Sequence, residues 1–178
     1  MPYDPDKHHR RSIRLKNYDY SQAGAYFVTV VVQGRESLFG EIVGAEMHPN
    51  AAGQAVERWW EEIMRKYPTL EKDEFVVMPN HFHGIVRLAG GGEAPTLGDV
   101  MEWLKTMTTN EYIRGAKGKG WPRFRGRLWQ RNYHEHVIRD EEELNRIREY
   151  IAYNPRQWAF DQENPDGVPP EQVEPWEV

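Results

Sequence analysis

The chain contains no cysteine, so it can form no disulfide, no thiolate metal site and no thiol nucleophile. Any metal it holds must be bound by His, amide or carboxylate groups. Long hydrophobic runs are absent too. The apolar stretches are short and strand-like, and Met1-Pro2-Tyr3-Asp4-Pro5 carries no hydrophobic signal region. These absences predict a cytoplasmic protein without a membrane partner.

Charge of one sign is missing from two stretches. Residues 161–178 hold six acids and no Lys or Arg, so removing them from the net charge of −5 leaves +1 on residues 1–160. Residues 114–131 hold seven bases (Arg114, Lys117, Lys119, Arg123, Arg125, Arg127, Arg131) and no acid. A second basic group, Arg10, Arg11, Arg14 and Lys16 with Lys7, lies near the N-terminus. A charge run is most often a solvated surface, but Trp121, Phe124 and Trp129 stand among the arginines. That mixture suits phosphate pairing with base stacking, as single-stranded nucleic acid requires.

What is present in quantity is aromatic. Seven Trp, nine Tyr and six Phe in 178 residues supply the bulk for one folded domain with appendages. The organisation expected is a basic arm over 1–24, a domain over 25–160 and an acidic, flexible tail over 161–178. Within the domain, Tyr26 to Val32 is a β-branched strand, and Asn50 to Tyr67 has helical apolar spacing that stops before Pro68. Residues 74–78 and 81–88 form two strands broken at Pro79-Asn80. Thr96 caps a helix running to about Gly115. Leu128 to Ile138 is read as a further strand, and Asp140 with Glu143 starts a last helix that Pro155 stops near Tyr153. The result is an α+β fold, a mainly antiparallel sheet with helices on one side.

The segment with most chemistry is Met78-Pro79-Asn80-His81-Phe82-His83-Gly84-Ile85-Val86. The side-chain period of a strand puts both imidazoles on one face and Phe82 on the other, in the core. Two polar residues on a wet strand face would read the same way. His134-Glu135-His136 offers a rival pair at the same spacing. In the last helix, at about 100° per residue, Tyr150 and Asn154 fall about 40° apart beside the buried Leu144, Ile147 and Ile151 stripe, and Tyr153 points away from it. A tyrosine beside the core is ordinarily a packing residue; an amide one turn below it is not something packing requires.

Taken together, Arg11-Ser12-Ile13-Arg14-Leu15, Met78-Pro79-Asn80-His81-Phe82-His83, Leu128-Trp129-Gln130-Arg131-Asn132-Tyr133, Val137-Ile138-Arg139-Asp140 and Tyr150-Ile151-Ala152-Tyr153-Asn154-Pro155 resemble the single-tyrosine HUH endonucleases. Within that group they are similar to the REP-associated tyrosine transposases, relatives of the small insertion-sequence transposases. The resemblance implies a ferredoxin-like HUH palm with its nucleophile on a late helix. It implies Tyr150 as nucleophile, and His81, His83 and Asn154 as ligands of Mg²⁺ or Mn²⁺. The insertion-sequence branch commonly carries a longer amide where Asn154 stands. The implied activity is cleavage and transfer of single-stranded DNA beside hairpins through a 5′-phosphotyrosine, by a monomer or homodimer, with the monomer favoured. A non-catalytic binding module for structured DNA or RNA would use the same basic loop and would give no covalent product. A hydrolytic metal phosphoesterase would use the histidine pair but would not need Tyr150 and Asn154 on one face.

Overall fold

A continuous β-branched segment that is apolar on both faces can only be a central strand covered from both sides. Residues 26–31, two aromatics followed by four β-branched residues, come close to such a segment. The computed structural model describes residue 19 and residues 22–71, 73–91 and 94–168. In chain order it contains β1 (Gly24–Val31), a 3-10 turn (Gln33–Arg35), β2 (Gly40–Val43), β3 (Glu46–Pro49), α1 (Ala51–Lys66), β4 (Leu70–Glu71), β5 (Phe75–Val77), β6 (His81–Leu88), α2 (Leu97–Gly118), β7 (His134–Ile138), α3 (Glu141–Tyr153) and a 3-10 helix (Asn154–Phe160).

β1 pairs with β6 on one side and β7 on the other, and β4 and β5 pair in succession with the far edge of β6. Every pairing is antiparallel. β2 and β3 form a separate hairpin. The α+β class and the antiparallel sheet are those the sequence predicts.

The helices divide between the two faces instead of sharing one. Tyr26, Val28, Val30, Phe82 and Val86 pack with Trp60 and Ile63 of α1 and Val100 and Leu104 of α2. Phe27 and Ile85, one residue out of phase, pack with Leu144, Ile147 and Ile151 of α3. Alternation along β1 and β6 therefore gives each face its own apolar layer, and α3 takes the layer that carries the histidines. Gly84 is what lets β6 sit close to α1. A Cβ there would lie 2.7 Å from the Phe82 ring and 3.1 Å from Trp60.

Each helix starts on a side-chain cap. Asn50 accepts from the amides of Ala52 and Gly53, Thr96 and Asp99 form a reciprocal capping box, and Asp140 accepts from the Glu143 amide. Pro155 ends α3 without ending the helical path, because it falls in the first turn of the 3-10 helix, where its missing N–H costs nothing.

The strand predicted from Leu128 is shorter than expected and begins at His134. Leu128 and Trp129 are buried in the α1/α2 core instead, with one isolated bridge from Val32 to Trp129. Lys105 Nζ ties down the carbonyls of Gln130 and Arg131, which takes those acceptors out of a ladder. No helix among the described residues is long and apolar enough to cross a membrane.

Candidate metal and tyrosine site

β6 opens with His81, and its register sets His81 opposite Val31 and His83 opposite Thr29, all on the α3 face. Both imidazoles are buried, with His81 at 0% exposure and His83 at 4%. Their Nε2 atoms are 3.0 Å apart.

The other ring nitrogens are held from behind. Asn80 Nδ2 donates to the carbonyls of Arg35 and Glu163, so its Oδ1 is the atom that faces His81. His81 Nδ1 then donates to that oxygen at 2.9 Å, leaving Nε2 as a bare lone pair. Thr29 Oγ1 lies 2.8 Å from His83 Nδ1 and can accept its proton in the same way.

Burial drives His81 down to about 3, against a smaller opposing pull from the Asn154 side chain. His83 is also held well below the ordinary imidazole value, by burial first and by His81 and His134 nearby, with Asp161 opposing. Both rings are therefore neutral across the physiological range, the form in which imidazole binds metal.

α3 brings Tyr150 to this pair. Its hydroxyl is 3.4 Å from His83 Nε2, and its ring meets His83 and Phe27 edge-on at centroid distances of 5.4 and 5.9 Å. Phe27 in turn stacks on His83 at 5.2 Å. Tyr153 points outward at 50% exposure, as the helical period predicts. Asn154, one turn beyond Tyr150, is 1% exposed. Its Nδ2 donates to Asp161 Oδ2 at 3.1 Å, and among the described residues its Oδ1 has no hydrogen-bond partner.

Asp161 is the residue that sequence reasoning missed. It belongs to the stretch read as a flexible tail, yet it is 9% exposed, and its Oδ2 lies 3.8 Å from His81 Nε2. Among the described residues, donor atoms of His81, His83 and Asp161 lie within 4.8 Å of one another. Residues 161–168 follow the 3-10 helix with the Asn164 amide on the Asp161 carbonyl and the Val168 amide on the Ala159 carbonyl. Six acids without a base gave no hint that the first would be buried.

The donor set suits a divalent ion. The two Nε2 atoms face each other at a distance that calls for a shared proton or a cation between them, and among the described residues the Asn154 Oδ1 is a buried acceptor left over. The 3.0 Å between the nitrogens is close to the separation, about 2.9 Å, of neighbouring octahedral ligands with bonds of about 2.0–2.1 Å. One member of the rival pair is otherwise engaged: His136 Nε2 is 2.8 Å from Glu143 Oε1, and Glu143 Oε2 accepts from the Arg139 amide.

The seven bases of residues 114–131 are all exposed. Gln130 at the end of this stretch donates its amide to the Val31 carbonyl, and Val31 is the register partner of His81. The basic segment thus rejoins the sheet one strand away from the histidines. Its aromatics are tied to the core beneath them to different degrees. Trp129 is 3% exposed and donates Nε1 to Thr108, while Trp121 and Phe124 pack edge-on against the buried Tyr112. They anchor the loop that displays the arginines. Arg10, Arg11, Arg14 and Lys16 lie outside the described residues.

No family model matches the chain. It is 37% identical to an uncharacterised protein of Haemophilus influenzae over 182 residues, covering 90% of this chain and 96% of that protein. It is 27% identical over 146 residues to a second Haemophilus influenzae protein, described as a candidate REP-associated tyrosine transposase, covering 79% and 76%. In fold it is similar to a solved structure of a REP-associated tyrosine transposase bound to a REP hairpin, with a TM-score of 0.56, 22% identity, and coverage of 80% of this chain and 72% of that one.

Proposed function

We propose that the chain, which is similar in sequence and fold to REP-associated tyrosine transposases, cuts and rejoins single-stranded DNA beside hairpins with Tyr150 as the nucleophile. The observation that carries the reading is the Tyr150 hydroxyl, 3.4 Å from the His83 Nε2 that faces His81. A tyrosine with only a packing role has no need to bring its hydroxyl to a pair of bare, buried nitrogens.

In this reading the phenolic oxygen attacks the phosphorus, and a tyrosine–phosphorus ester forms as the bond to the 3′ oxygen breaks. The phenol loses its proton and the departing oxygen gains one. The products are a 5′-phosphotyrosine and a free 3′-hydroxyl. One phosphodiester replaces another, so the step can run backward and join strands.

The chain's own residues supply the positioning. Phe27 and His83 fix the Tyr150 ring, Asn80 and Thr29 hold the imidazoles in one tautomer, and the apolar α3 layer keeps water from the rear of the tyrosine. His81, His83 and Asn154 Oδ1 are the atoms that would hold Mg²⁺ or Mn²⁺, which when bound would polarise the scissile phosphate as a Lewis acid. Nitrogen donors favour Mn²⁺, whereas Mg²⁺ is the more abundant ion. The exposed bases of residues 114–131 hold the strand by its phosphates, and those of the N-terminal arm have the same role.

The test is a denaturing gel of protein incubated with end-labelled single-stranded hairpin DNA from the gene's own flank, with Mn²⁺, Mg²⁺ or chelator. A labelled protein band that needs metal and vanishes in Tyr150→Phe, with binding retained, is the expected result. An adduct that persists in Tyr150→Phe contradicts the assignment.

A further inference from the structure

We propose that Asp161 is a carboxylate ligand of the same ion, so that metal binding fastens the segment after the nucleophile helix onto the sheet. The proposal rests on the metal-site reading above and adds to it a residue from a stretch that composition marks as tail.

Three observations carry it. The first is the company Asp161 keeps. Its carboxylate is buried, and its hydrogen bonds come from the neutral Asn154 Nδ2 at 3.1 Å and the neutral Glu163 amide at 2.7 Å. Among the described residues no Lys or Arg reaches it; the nearby basic group is His81, at 3.8 Å. A buried carboxylate with no cation is unfavourable, and it is relieved by a metal or a charged partner. A divalent ion on the His81 and His83 nitrogens would stand where that charge is missing.

The second is the balance of the donor set. Two neutral imidazoles and an amide oxygen carry no charge, so on their own they bind a hard divalent cation weakly. One carboxylate gives the site a charge of −1 and a donor set of two nitrogens and two oxygens. That combination fits Mn²⁺ or Mg²⁺ better than a soft metal.

The third is a mechanical link. Asn80, which holds the rear of His81, also donates Nδ2 to the Glu163 carbonyl at 2.7 Å. Arg35 adds an ion pair to the Glu163 carboxylate, also at 2.7 Å. One asparagine therefore registers the histidine ligand and the segment bearing Asp161 against each other. Partners that hold a ligand from behind in this way orient it towards a metal.

The experiment uses the full chain and reads metal directly. Mn²⁺ affinity is measured by calorimetry or by the spin-resonance signal of the free ion, in wild type, Asp161→Asn and His83→Gln. Asparagine keeps the shape of Asp161 but only one of the two oxygens that accept from Asn154 and Glu163, so the melting temperature of each metal-free variant is measured beside its affinity. The expected loss in Asp161→Asn is about 10- to 100-fold. Hydrogen exchange of residues 161–168, the Glu163 amide above all, is expected to slow with Mn²⁺ in wild type and not in Asp161→Asn. A crystal of wild-type protein soaked in Mn²⁺ should show the anomalous peak in contact with Asp161, whatever the variants do. Equal affinity in wild type and Asp161→Asn, with binding lost in His83→Gln, overturns the role of Asp161 and leaves the histidine site standing. Failure of wild type to bind Mn²⁺ overturns both.

Discussion

Thr29 shows how a residue far from the chemistry governs it. It lies in mid-strand on β1, 8% exposed, and its hydroxyl is the partner of His83 Nδ1 at 2.8 Å. Thr29→Val keeps the shape and removes the acceptor, leaving the ring free to turn or to change tautomer. Mn²⁺ affinity is expected to fall by about 10- to 100-fold, while the melting temperature of the metal-free protein stays close to wild type. Unchanged affinity would mean that strand packing alone orients His83. Thr29 was not legible in the sequence, because nothing in a β-branched run marks one threonine as opposite a histidine 54 residues later. That the two histidines share a strand face, and that Tyr150 and Asn154 lie together beside the buried stripe, was legible from periods of two and 3.6.

At the scale of elements, α3 is held over the histidine face by more than its apolar stripe. Arg148 makes a two-pronged contact with Asp73, at 2.8 and 2.9 Å, which ties the helix to the turn before β5. Burial pushes the Asp73 carboxyl up, but hydrogen bonds from Arg148 and the Glu74 amide, with the charges of Arg148 and Arg87, outweigh it and hold the group below its ordinary value. A carboxyl depressed in the folded state contributes stability that is present above its unfolded pKa, about 3.9, and is lost as pH falls through the folded value. Chemical denaturation of wild type and Asp73→Asn should therefore differ at pH 6 and converge as the pH drops below about 4. A gap independent of pH would contradict this account of the tether.

Element boundaries were legible where caps and prolines mark them, as at Asn50, Thr96 and Asp140. The hairpin of β2 and β3 was not. Its turn uses Gly44 and Ala45, both at positive φ, and alanine is not a residue that announces a left-handed turn. The segment bearing Asp161 was hidden for a different reason. Pro155 reads as a stop, whereas the chain continues through a 3-10 helix that folds it back on the site.

Across the whole molecule, charge is segregated by position, and the seven exposed bases of residues 114–131 form the surface expected to meet DNA. Three of them, Lys117, Arg123 and Arg125, changed together to Gln, should weaken single-strand binding and reduce the slope of log affinity against log salt by about 2. An unchanged slope would place the phosphates elsewhere. Composition alone made that basic surface visible, but it did not show that Trp129 is buried. Trp121, Phe124 and Trp129 are spent on holding the loop, a distinction that depends on Tyr112 and Thr108 standing beneath them.

The central claim is that Tyr150 forms the bond to DNA, and mass spectrometry of a protease digest of the trapped adduct tests it most directly. A nucleotide-bearing peptide modified at Tyr150, formed with Mn²⁺ or Mg²⁺ and absent with chelator, is the expected product. A modification mapped to Tyr153 or Tyr133, or cleaved DNA with no modified peptide at all, would contradict it.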